Sequence, residues 1–372
     1  MIARRHSKQI HIGSVAIGGD APISVQSMTC TDTRDARATI DQIRELEEAG
    51  CELVRVAVPD MEAARALPDI KKGIHIPLIA DIHFDYRLAL AAIEAGVDAL
   101  RLNPGNIRDP EKTKAVVKAA KKRSIPIRIG VNAGSLPQQE SKADACDAPS
   151  VESVASRMVE LALAQVRLLE SLDFDLIKLS LKAFDVPTTI EAYRQVAQAV
   201  PYPLHLGITE AGTPWAGSIR SAVGIGALLL TGIGDTLRVS LTGDPVEEVR
   251  VGFEILKALG LRQRGPVMIS CPTCGRTEIE LVKIAQEVEQ KLEGIKAPIK
   301  VAVMGCVVNG PGEARDADVG IAGGGGRGVV FRYGRVVRTV DEKDLLPALL
   351  HEIDIVASDW AGSRRRDQFK DD

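Results

Sequence analysis

The sequence is poor in aromatic residues and contains no long apolar run. Phe, Trp and Tyr together make up 3% of its 372 residues, which argues against a surface on which nucleic-acid bases stack. Its 47 basic and 50 acidic residues give a net charge of −3, so bulk attraction to nucleic acid is not expected. The longest apolar run lies near residues 224–230 and is far too short to cross a bilayer. We therefore expect neither a nucleic-acid partner nor a membrane.

The N-terminus also lacks the apolar stretch that follows the basic residues of a secretory signal. We therefore expect a cytoplasmic protein, in which the six cysteines stay reduced. Such cysteines are read as metal ligands or core residues before disulfides. Cys30 and Cys51 are predicted to pack near strands, and Cys146 to be a thiol in the polar loop around residues 135–150.

One pattern recurs between residues 23 and 259: a short apolar run, then a helical stretch rich in Ala, Leu, Glu and Lys. Eight such units of about 30 residues are typical of a (β/α)8 barrel. An open doubly wound sheet is the alternative, but no Gly-x-Gly-x-x-Gly turn follows the first strand. The sequence predicts an α/β fold, with a (β/α)8 TIM-type barrel over residues 1–262 and a small α+β domain over residues 263–372.

The predicted barrel strands carry basic residues near their carboxyl ends, where barrel enzymes place their sites. Six of these residues are expected to converge on one mouth: Arg55, Arg101, Arg128, Lys178, Lys182 and Arg238. Converging cations are costly without an anionic partner, and Arg offers paired donors to phosphate oxygens. The set favours a phosphate or diphosphate site. Any single arginine could instead pair with Asp81, Asp85 or Glu210 inside the barrel.

Two histidines and one carboxylate at the strand ends are further candidates. His83 and His205 could each act as proton donor, phosphate ligand or structural hydrogen-bonding group. Glu210 follows the seventh strand and would place a carboxylate at the mouth. These roles stay open from the residues alone.

Three cysteines lie in the last third of the chain. Cys271 and Cys274 form a Cys-x-x-Cys pair, and Cys306 follows after a gap that contains no His. A redox dithiol would leave the third cysteine unexplained, and structural zinc would require a fourth Cys or His. The spacing favours an iron–sulfur site over zinc. Glu313 is the nearest candidate for a fourth ligand.

Glycines cluster at residues 323–326 and again at residue 328. The run lacks the Gly-Lys-Ser/Thr ending of a nucleotide-binding loop. It therefore predicts a turn between two strands.

Seven longer motifs, in order over about residues 8–355, extend these patterns. They are Pro22–Thr29 (PISVQSMT), Ala80–Asp85 (ADIHFD), Leu102–Asn106 (LNPGN), Arg128–Ser135 (RIGVNAGS), His205–Gly212 (HLGITEAG), Cys271–Cys274 (CPTC) and Gly305–Ala314 (GCVVNGPGEA). In these motifs the chain resembles the bacterial 4-hydroxy-3-methylbut-2-enyl diphosphate synthases of the methylerythritol phosphate pathway. Its length matches their short form, which has no domain inserted between the barrel and the cysteine domain.

The resemblance implies an iron–sulfur oxidoreductase of isoprenoid biosynthesis, with residues 263–372 as a [4Fe-4S] cluster domain. Such an enzyme opens the ring of 2-C-methyl-D-erythritol 2,4-cyclodiphosphate with two electrons and loss of water. The implied product is 4-hydroxy-3-methylbut-2-enyl diphosphate. The implied partners are flavodoxin or ferredoxin as electron donor and a second copy of the chain, whose cluster domain caps the barrel.

The resemblance also implies roles for particular residues. Glu313 would be the exchangeable cluster ligand, Asn309 would orient the bound intermediate, and Glu210 completes the catalytic candidates. The implied cluster ligands are Cys271, Cys274, Cys306 and Glu313. The expected substrate-binding residues are Arg55, His83, Arg101, Asn103, Arg128, Asn132, Lys182, His205, Arg238 and Ser240.

Two other classes of protein stay open from the residues alone. One is a zinc-stabilised barrel lyase or hydrolase that acts on a phosphorylated metabolite. The other is an interaction protein whose small domain is a metal-stapled binding module. Both would be colourless, whereas an iron–sulfur enzyme is brown.

Overall fold

The computed structural model describes residues 2–82, 85–102, 110–136, 150–306, 312 and 314–361. The chain divides into two compact units, Met1–Arg262 and Gln263–Asp372. Each unit has its own apolar core. In the described part of the chain, no helix has both the length and the hydropathy that a membrane span requires.

The first unit opens with an antiparallel hairpin, β1 (Ile10–Ile12) paired with β2 (Val15–Ile17). Its isoleucines are buried against Leu53, Ile79 and Ala99, which stand at or near the starts of three barrel strands. The hairpin therefore closes the amino-terminal end of the barrel with apolar side chains. No sequence pattern predicted it, because each strand has only three residues.

Eight parallel strands follow. They are β3 (Ser24–Met28), β4 (Leu53–Ala57), β5 (Leu78–Ile82), β6 (Ala99–Leu102), β7 (Ile127–Asn132), β8 (Ile177–Lys182), β9 (His205–Leu206) and β10 (Thr236–Leu237). β3 to β8 pair in chain order, and β9 pairs with β10. β10 returns to pair with β3, and a parallel bridge between Leu179 and Leu204 joins β8 to the residue before β9. The sheet closes on itself, so the predicted (β/α)8 barrel is confirmed.

In the described ranges of the first unit, eight α-helices form the outer ring. They are α1 (Ala36–Ala49), α2 (Met61–Gly73), α3 (Tyr86–Ala95), α4 (Pro110–Lys122), α5 (Val151–Ser171), α6 (Val186–Ala199), α7 (Pro214–Leu230) and α8 (Pro245–Ala258). Most begin at an Asp or Ser whose side chain accepts a backbone N–H of the first turn, as Asp85 does for α3 and Asp244 for α8. These caps satisfy amide groups that otherwise lack a partner, and they end each strand-to-helix loop at a defined residue.

Side chains along each strand alternate between the helices and the barrel interior. On β4, Val54 and Val56 belong to the large apolar cluster under the helices, whereas Arg55 lies between them on the other side. The same alternation on β8 places Leu179 and Leu181 in that cluster. The apolar outer face packs the barrel against its helices, and the interior is left to polar side chains.

The second unit is a five-stranded sheet in the order of the chain. Its strands are β11 (Val267–Ser270), β12 (Lys300–Met304), β13 (Val319–Gly324), β14 (Arg327–Arg332) and β15 (Arg335–Asp341). β11, β12 and β13 are parallel to one another, whereas β14 pairs antiparallel with β13 and with β15. Of the residues described in this unit, the helices Leu281–Glu293 and Glu342–Ala361 pack on the sheet.

The glycine run forms the tight turn between β13 and β14. Gly325 and Gly326 have φ angles of +63° and +76°, a region that glycine adopts without steric cost. The predicted turn between two strands is confirmed.

Candidate active site

Charged side chains replace the usual apolar filling of the barrel interior. The strand registers place Asp81 beside Arg101, Arg101 beside Arg128, and Arg128 beside Lys178. All four residues are buried. Barrel interiors are ordinarily filled by Val, Ile and Leu, so four charged positions on adjacent strands β5 to β8 make this interior a candidate binding site.

Asp81 forms ion pairs with two of the arginines. Its Oδ2 lies 3.3 Å from Nε of Arg55, and its Oδ1 lies 3.0 Å from Nη1 of Arg101. The alternative of ion pairing inside the barrel therefore holds for these two arginines. Asp85 does not take part, because it caps α3 and pairs with Arg87 at the surface.

Glu248 on α8 holds the fourth arginine of the predicted set. Nε and Nη2 of Arg238 donate to Oε2 and Oε1 of Glu248 over 3.2 and 3.1 Å. Glu248 also accepts a hydrogen bond from Ser27 Oγ and one from the backbone N–H of Leu241. Sequence reasoning missed Glu248, since nothing marks it off from Glu247 beside it. The available signal for this pair was the short separation: Glu248 follows Arg238 by ten residues, across a single strand-to-helix loop.

Two lysines of the interior are buried among like charges. Burial, followed by the positive charge of Arg128, holds the pKa of both Lys178 and Lys182 well below the ordinary value of a lysine. Burial also lowers the pKa of Arg55 to about 10, although Asp81 acts in the opposite direction. Asp81 and Glu248 neutralise at most two of the six cations, so the interior carries an excess of positive charge that an anion would relieve.

Two glycines make room for the long basic side chains. A Cβ on Gly130 would lie 2.8 Å from Nε of Arg101, and one on Gly207 would overlap Nζ of Lys182. A contact under 3.0 Å forces the neighbour to move. Any larger residue at these two positions would displace the cations.

His205 lies inside the barrel as a neutral imidazole. Its Nδ1 lies 2.6 Å from Oγ1 of Thr236, and the residue is fully buried. Burial, and then the positive charge of Arg128, holds the pKa of His205 well below its ordinary value. A neutral imidazole can donate or accept one hydrogen bond to a ligand but brings no positive charge.

Glu210 lies in a strained loop after β9. Its φ is +55°, and Gly212 follows with a φ of +110°. A left-handed backbone is uncommon for residues other than glycine and clusters at functional sites. The Glu210 side chain is exposed, so the loop holds a carboxylate outside the barrel core.

The other substrate-binding candidates are placed in part. Asn132 ends β7 beside Lys182 in the register, and Ser240 lies two residues beyond Arg238. Both are half-buried. His83 and Asn103 lie outside the described residues.

In the second unit, Cys271 and Cys306 come just after neighbouring parallel strands, β11 and β12. The backbone N–H of Gly305 donates to Sγ of Cys271 over 3.2 Å, which ties the two strand ends together. Cys274 is exposed, and hydrogen bonds from the backbone and then the side chain of Arg276 lower its thiol pKa. Lowered pKa and exposure are properties of metal-binding thiolates.

The rest of the predicted cysteine site is not placed. Asn309 and Glu313 lie outside the described residues, as does Cys146. Within the described ranges, no group of three His, Cys, Asp or Glu side chains is close enough together to hold a metal ion.

The first unit is thus a (β/α)8 barrel with a basic interior, and the second carries cysteines at the carboxyl edge of a sheet. The chain matches the family model of the GcpE TIM-barrel domain over residues 7–253 and that of the GcpE protein C-terminal domain over residues 267–355. It belongs to the GcpE family.

The chain is similar over nearly its whole length to curated relatives named 4-hydroxy-3-methylbut-2-en-1-yl diphosphate synthase (flavodoxin). The protein of Dehalococcoides mccartyi (strain ATCC BAA-2100 / JCM 16839 / KCTC 5957 / BAV1) is 63% identical over 95% of this chain and 99% of its own. That of Geobacter sulfurreducens is 61% identical over 95% of this chain and 98% of its own. The family resemblance predicted from the sequence is confirmed.

Among solved structures, the dihydropteroate synthase from Xanthomonas albilineans in complex with 7,8-dihydropteroate matches 68% of this chain and 98% of its own. Its sequence identity is 16% and the TM-score is 0.49. A likeness at this level bears on neither the site nor the function.

Proposed function

We propose that this chain acts as a 4-hydroxy-3-methylbut-2-en-1-yl diphosphate synthase. The reaction opens the ring of 2-C-methyl-D-erythritol 2,4-cyclodiphosphate with two electrons and one proton, loses water and yields 4-hydroxy-3-methylbut-2-enyl diphosphate. The observation that carries the proposal is the barrel interior, where six cations converge and Asp81 and Glu248 neutralise at most two. A cyclic diphosphate supplies the missing negative charge.

The barrel residues would bind the diphosphate in a preorganised way. Asp81 fixes Arg55 and Arg101, and Glu248 fixes Arg238, before any substrate arrives. Side chains held in place lose little conformational freedom on binding, so more of the interaction energy appears as affinity and orientation. We propose that Arg128 and Lys182, which form no ion pair with a carboxylate among the described residues, take the largest share of the anion's charge.

The remaining substrate-binding proposals rest on position. Asn132 and Ser240 border the strand ends next to Lys182 and Arg238 and would donate hydrogen bonds to the anion or the sugar hydroxyls. His205 would contribute a neutral donor from deeper in the barrel. His83 and Asn103 stay proposals from family resemblance alone. Glu210 would bring a carboxylate to the mouth from a loop held in a strained conformation.

We propose a [4Fe-4S] cluster held by Cys271, Cys274 and Cys306, with Glu313 as fourth ligand. The residues present fit the group, because soft thiolates suit iron–sulfur clusters and hydrogen bonds to sulfur tune their potential. The Gly305 amide already donates to Cys271, and the Cys274 thiol is shifted towards the thiolate. When bound, the cluster would supply electrons and a Lewis-acidic iron. Asn309, four residues before Glu313, would orient the substrate.

The proposed partners follow from the relatives and the reaction. The names of the relatives include flavodoxin. Flavodoxin would deliver the electrons to this chain, and ferredoxin is the alternative donor. We also propose that the enzyme acts as a homodimer. A cytoplasmic location stays a prediction from the sequence.

Anaerobic purification followed by metal and sulfide analysis tests the proposal directly. We expect a brown protein with broad absorption near about 410 nm and comparable amounts of iron and acid-labile sulfide. With the cyclodiphosphate and reduced flavodoxin, it should form the linear diphosphate. Stoichiometric zinc without sulfide, or a loaded enzyme that leaves the cyclodiphosphate unchanged, would refute it.

A further inference from the structure

Lys178 is a buried lysine that the proposed function counts among the six cations but gives no role of its own. It lies on β8, four residues before Lys182 and therefore deeper in the barrel, because the carboxyl ends of the strands form the mouth. The residue is 1% exposed, and its Nζ makes no hydrogen bond to any residue that the structure describes. A buried polar group without a partner is costly and rare in folded proteins. Packing alone does not explain a lysine at this position.

The charges around Lys178 oppose a permanent ammonium group. Arg128 is its neighbour in the strand register, and Arg55 and His205 share the same interior. The carboxylate of Asp235 favours the ammonium form, but it already binds Arg4, Ser7 and the backbone of Leu204. The other interior carboxylates are engaged as well, Asp81 by Arg55 and Arg101, and Glu248 by Arg238.

The charge balance of the barrel interior also opposes a permanent ammonium group on Lys178. Six interior cations and the two carboxylates Asp81 and Glu248 leave four uncompensated positive charges if every group is ionised. Arginine keeps its proton in proteins, whereas buried lysines lose theirs readily. Lys178 and Lys182 are therefore the groups that can be neutral, and burial lowers the pKa of both. The cyclodiphosphate has one acidic oxygen on each of its two phosphorus atoms, so its entry adds two negative charges.

We propose that Lys178 is a positioning residue of the diphosphate site, which rests as a neutral amine beside Arg128 and takes up a proton when the anion enters. A solvent proton forms a new N–H bond on Nζ, and no electrons are transferred. Two negative charges within about 10 Å, at an effective dielectric constant of about 20, strengthen proton binding by about 100-fold or more. The ammonium group then adds its field to that of Arg128 and holds the diphosphate in the barrel. This proposal rests on the proposed function, because it takes the cyclodiphosphate as the anion.

Calorimetry of cyclodiphosphate binding to the holoenzyme, without reductant, tests the proposal. Without electrons the substrate binds but does not turn over. Its phosphodiester oxygens do not titrate near about pH 8, so heats measured in buffers of different ionisation enthalpy report protons taken up by the protein. We expect clear uptake in the wild type, and about half to one proton less per ligand in Lys178→Met. Lys118→Met, on the exposed face of α4, should match the wild type.

A second variant, Lys178→Arg, allows the proposal to be tested even if Lys178→Met does not fold. Lys178→Arg carries a permanent charge, so it should bind the cyclodiphosphate without this share of the proton uptake. Lys178→Met should also raise the melting temperature of the ligand-free protein, whereas a structural lysine would give a lower one. Wild-type uptake in both variants, with binding intact, would overturn the role of Lys178 and leave the proposed function standing. Failure of the wild-type holoenzyme to bind the cyclodiphosphate at all would overturn the proposed function and this proposal together.

Discussion

Glu248 holds the guanidinium of Arg238 through both of its carboxylate oxygens, with donor–acceptor distances of 3.2 and 3.1 Å. The two residues come from α8 and from the end of β10, so the pair also joins the helix to the barrel. A two-point contact fixes the plane of the guanidinium as well as its position. The guanidinium of Arg238 therefore has a fixed position and orientation before a ligand binds.

Replacing Glu248 by Gln keeps the shape of the side chain and removes its charge. Arg238 would then be held by one hydrogen bond in place of a charged pair, and we expect kcat/KM for the cyclodiphosphate to fall by about 10- to 100-fold. Iron content should not change. Glu247→Gln is the matched control, because its side chain lies on the same helix but pairs with Arg250 at the surface. Equal activity of the two variants would show that the pair does not orient Arg238.

Replacing Arg128 by Met should separate binding from stability. Nε and Nη1 of Arg128 make no hydrogen bond to the described residues, and burial lowers its pKa well below the ordinary value. Removing a buried, poorly paired cation should raise the free energy of unfolding of the ligand-free protein by about 1–3 kcal/mol. Binding of inorganic pyrophosphate, measured by calorimetry, should weaken at the same time. Arg37→Met, at an exposed position on α1, is expected to change neither quantity.

The surroundings of Gly207 leave no room for a side chain. A Cβ there would lie 2.5 Å from the carbonyl oxygen of Arg238 and would overlap Nζ of Lys182. We expect Gly207→Ala to fold but to lose most of its diphosphate affinity, measured as an increase in KM. Gly226→Ala on α7 is the control, because a Cβ there meets no atom within 4 Å. That helical substitution should stabilise the protein by about 0.5–1 kcal/mol and leave KM unchanged.

Cysteine substitution tests the cluster ligands. Cys274→Ser should lower the iron and sulfide content of anaerobically purified protein and abolish turnover, because serine is a poor ligand for cluster iron. Cys30→Ser is a suitable control, since Cys30 is also exposed but lies in the barrel unit beside Gln42. Full iron content in Cys274→Ser would remove Cys274 from the ligand set.

The stability of the ligand-free protein should depend on pH in a defined direction. The pKa of Lys182 is lowered in the folded state, so the unfolded chain binds more protons between that lowered pKa and the ordinary lysine value near about 10.4. Stability must then rise with pH across this window. Urea unfolding between about pH 6.5 and 9 should show a steeper rise for the wild type than for Lys182→Met. Equal slopes would mean that Lys182 keeps its proton in the folded state.

The repeating strand–helix units were predictable because their causes are local. Each unit carries its own apolar run, and most carry an Asp or Ser that caps the next helix. β9 and β10 have only two residues each, although apolar side chains continue past them in the sequence. The hairpin β1–β2 was not predicted, since its strands are defined by packing under the barrel.

The candidate site was predicted in its composition but not in its pairing. The positions of Arg55, Arg101, Arg128 and Lys182 near the ends of predicted strands indicated a shared basic mouth, and the motifs pointed to the family. For the pairing of Glu248 with Arg238, the sequence offered only their separation of ten residues, which does not by itself predict a contact.

The sequence by itself determined the barrel, its basic interior and the spacing of the three cysteines, because these depend on periodicity and motif. Only the tertiary structure decided that Asp81 forms ion pairs with both Arg55 and Arg101. It also decided that Lys178 is buried without a hydrogen-bond partner among the described residues. The physical reason is distance. Interactions between buried charges change steeply over a few ångströms in a low dielectric, and those separations are set by strands that lie far apart in the chain.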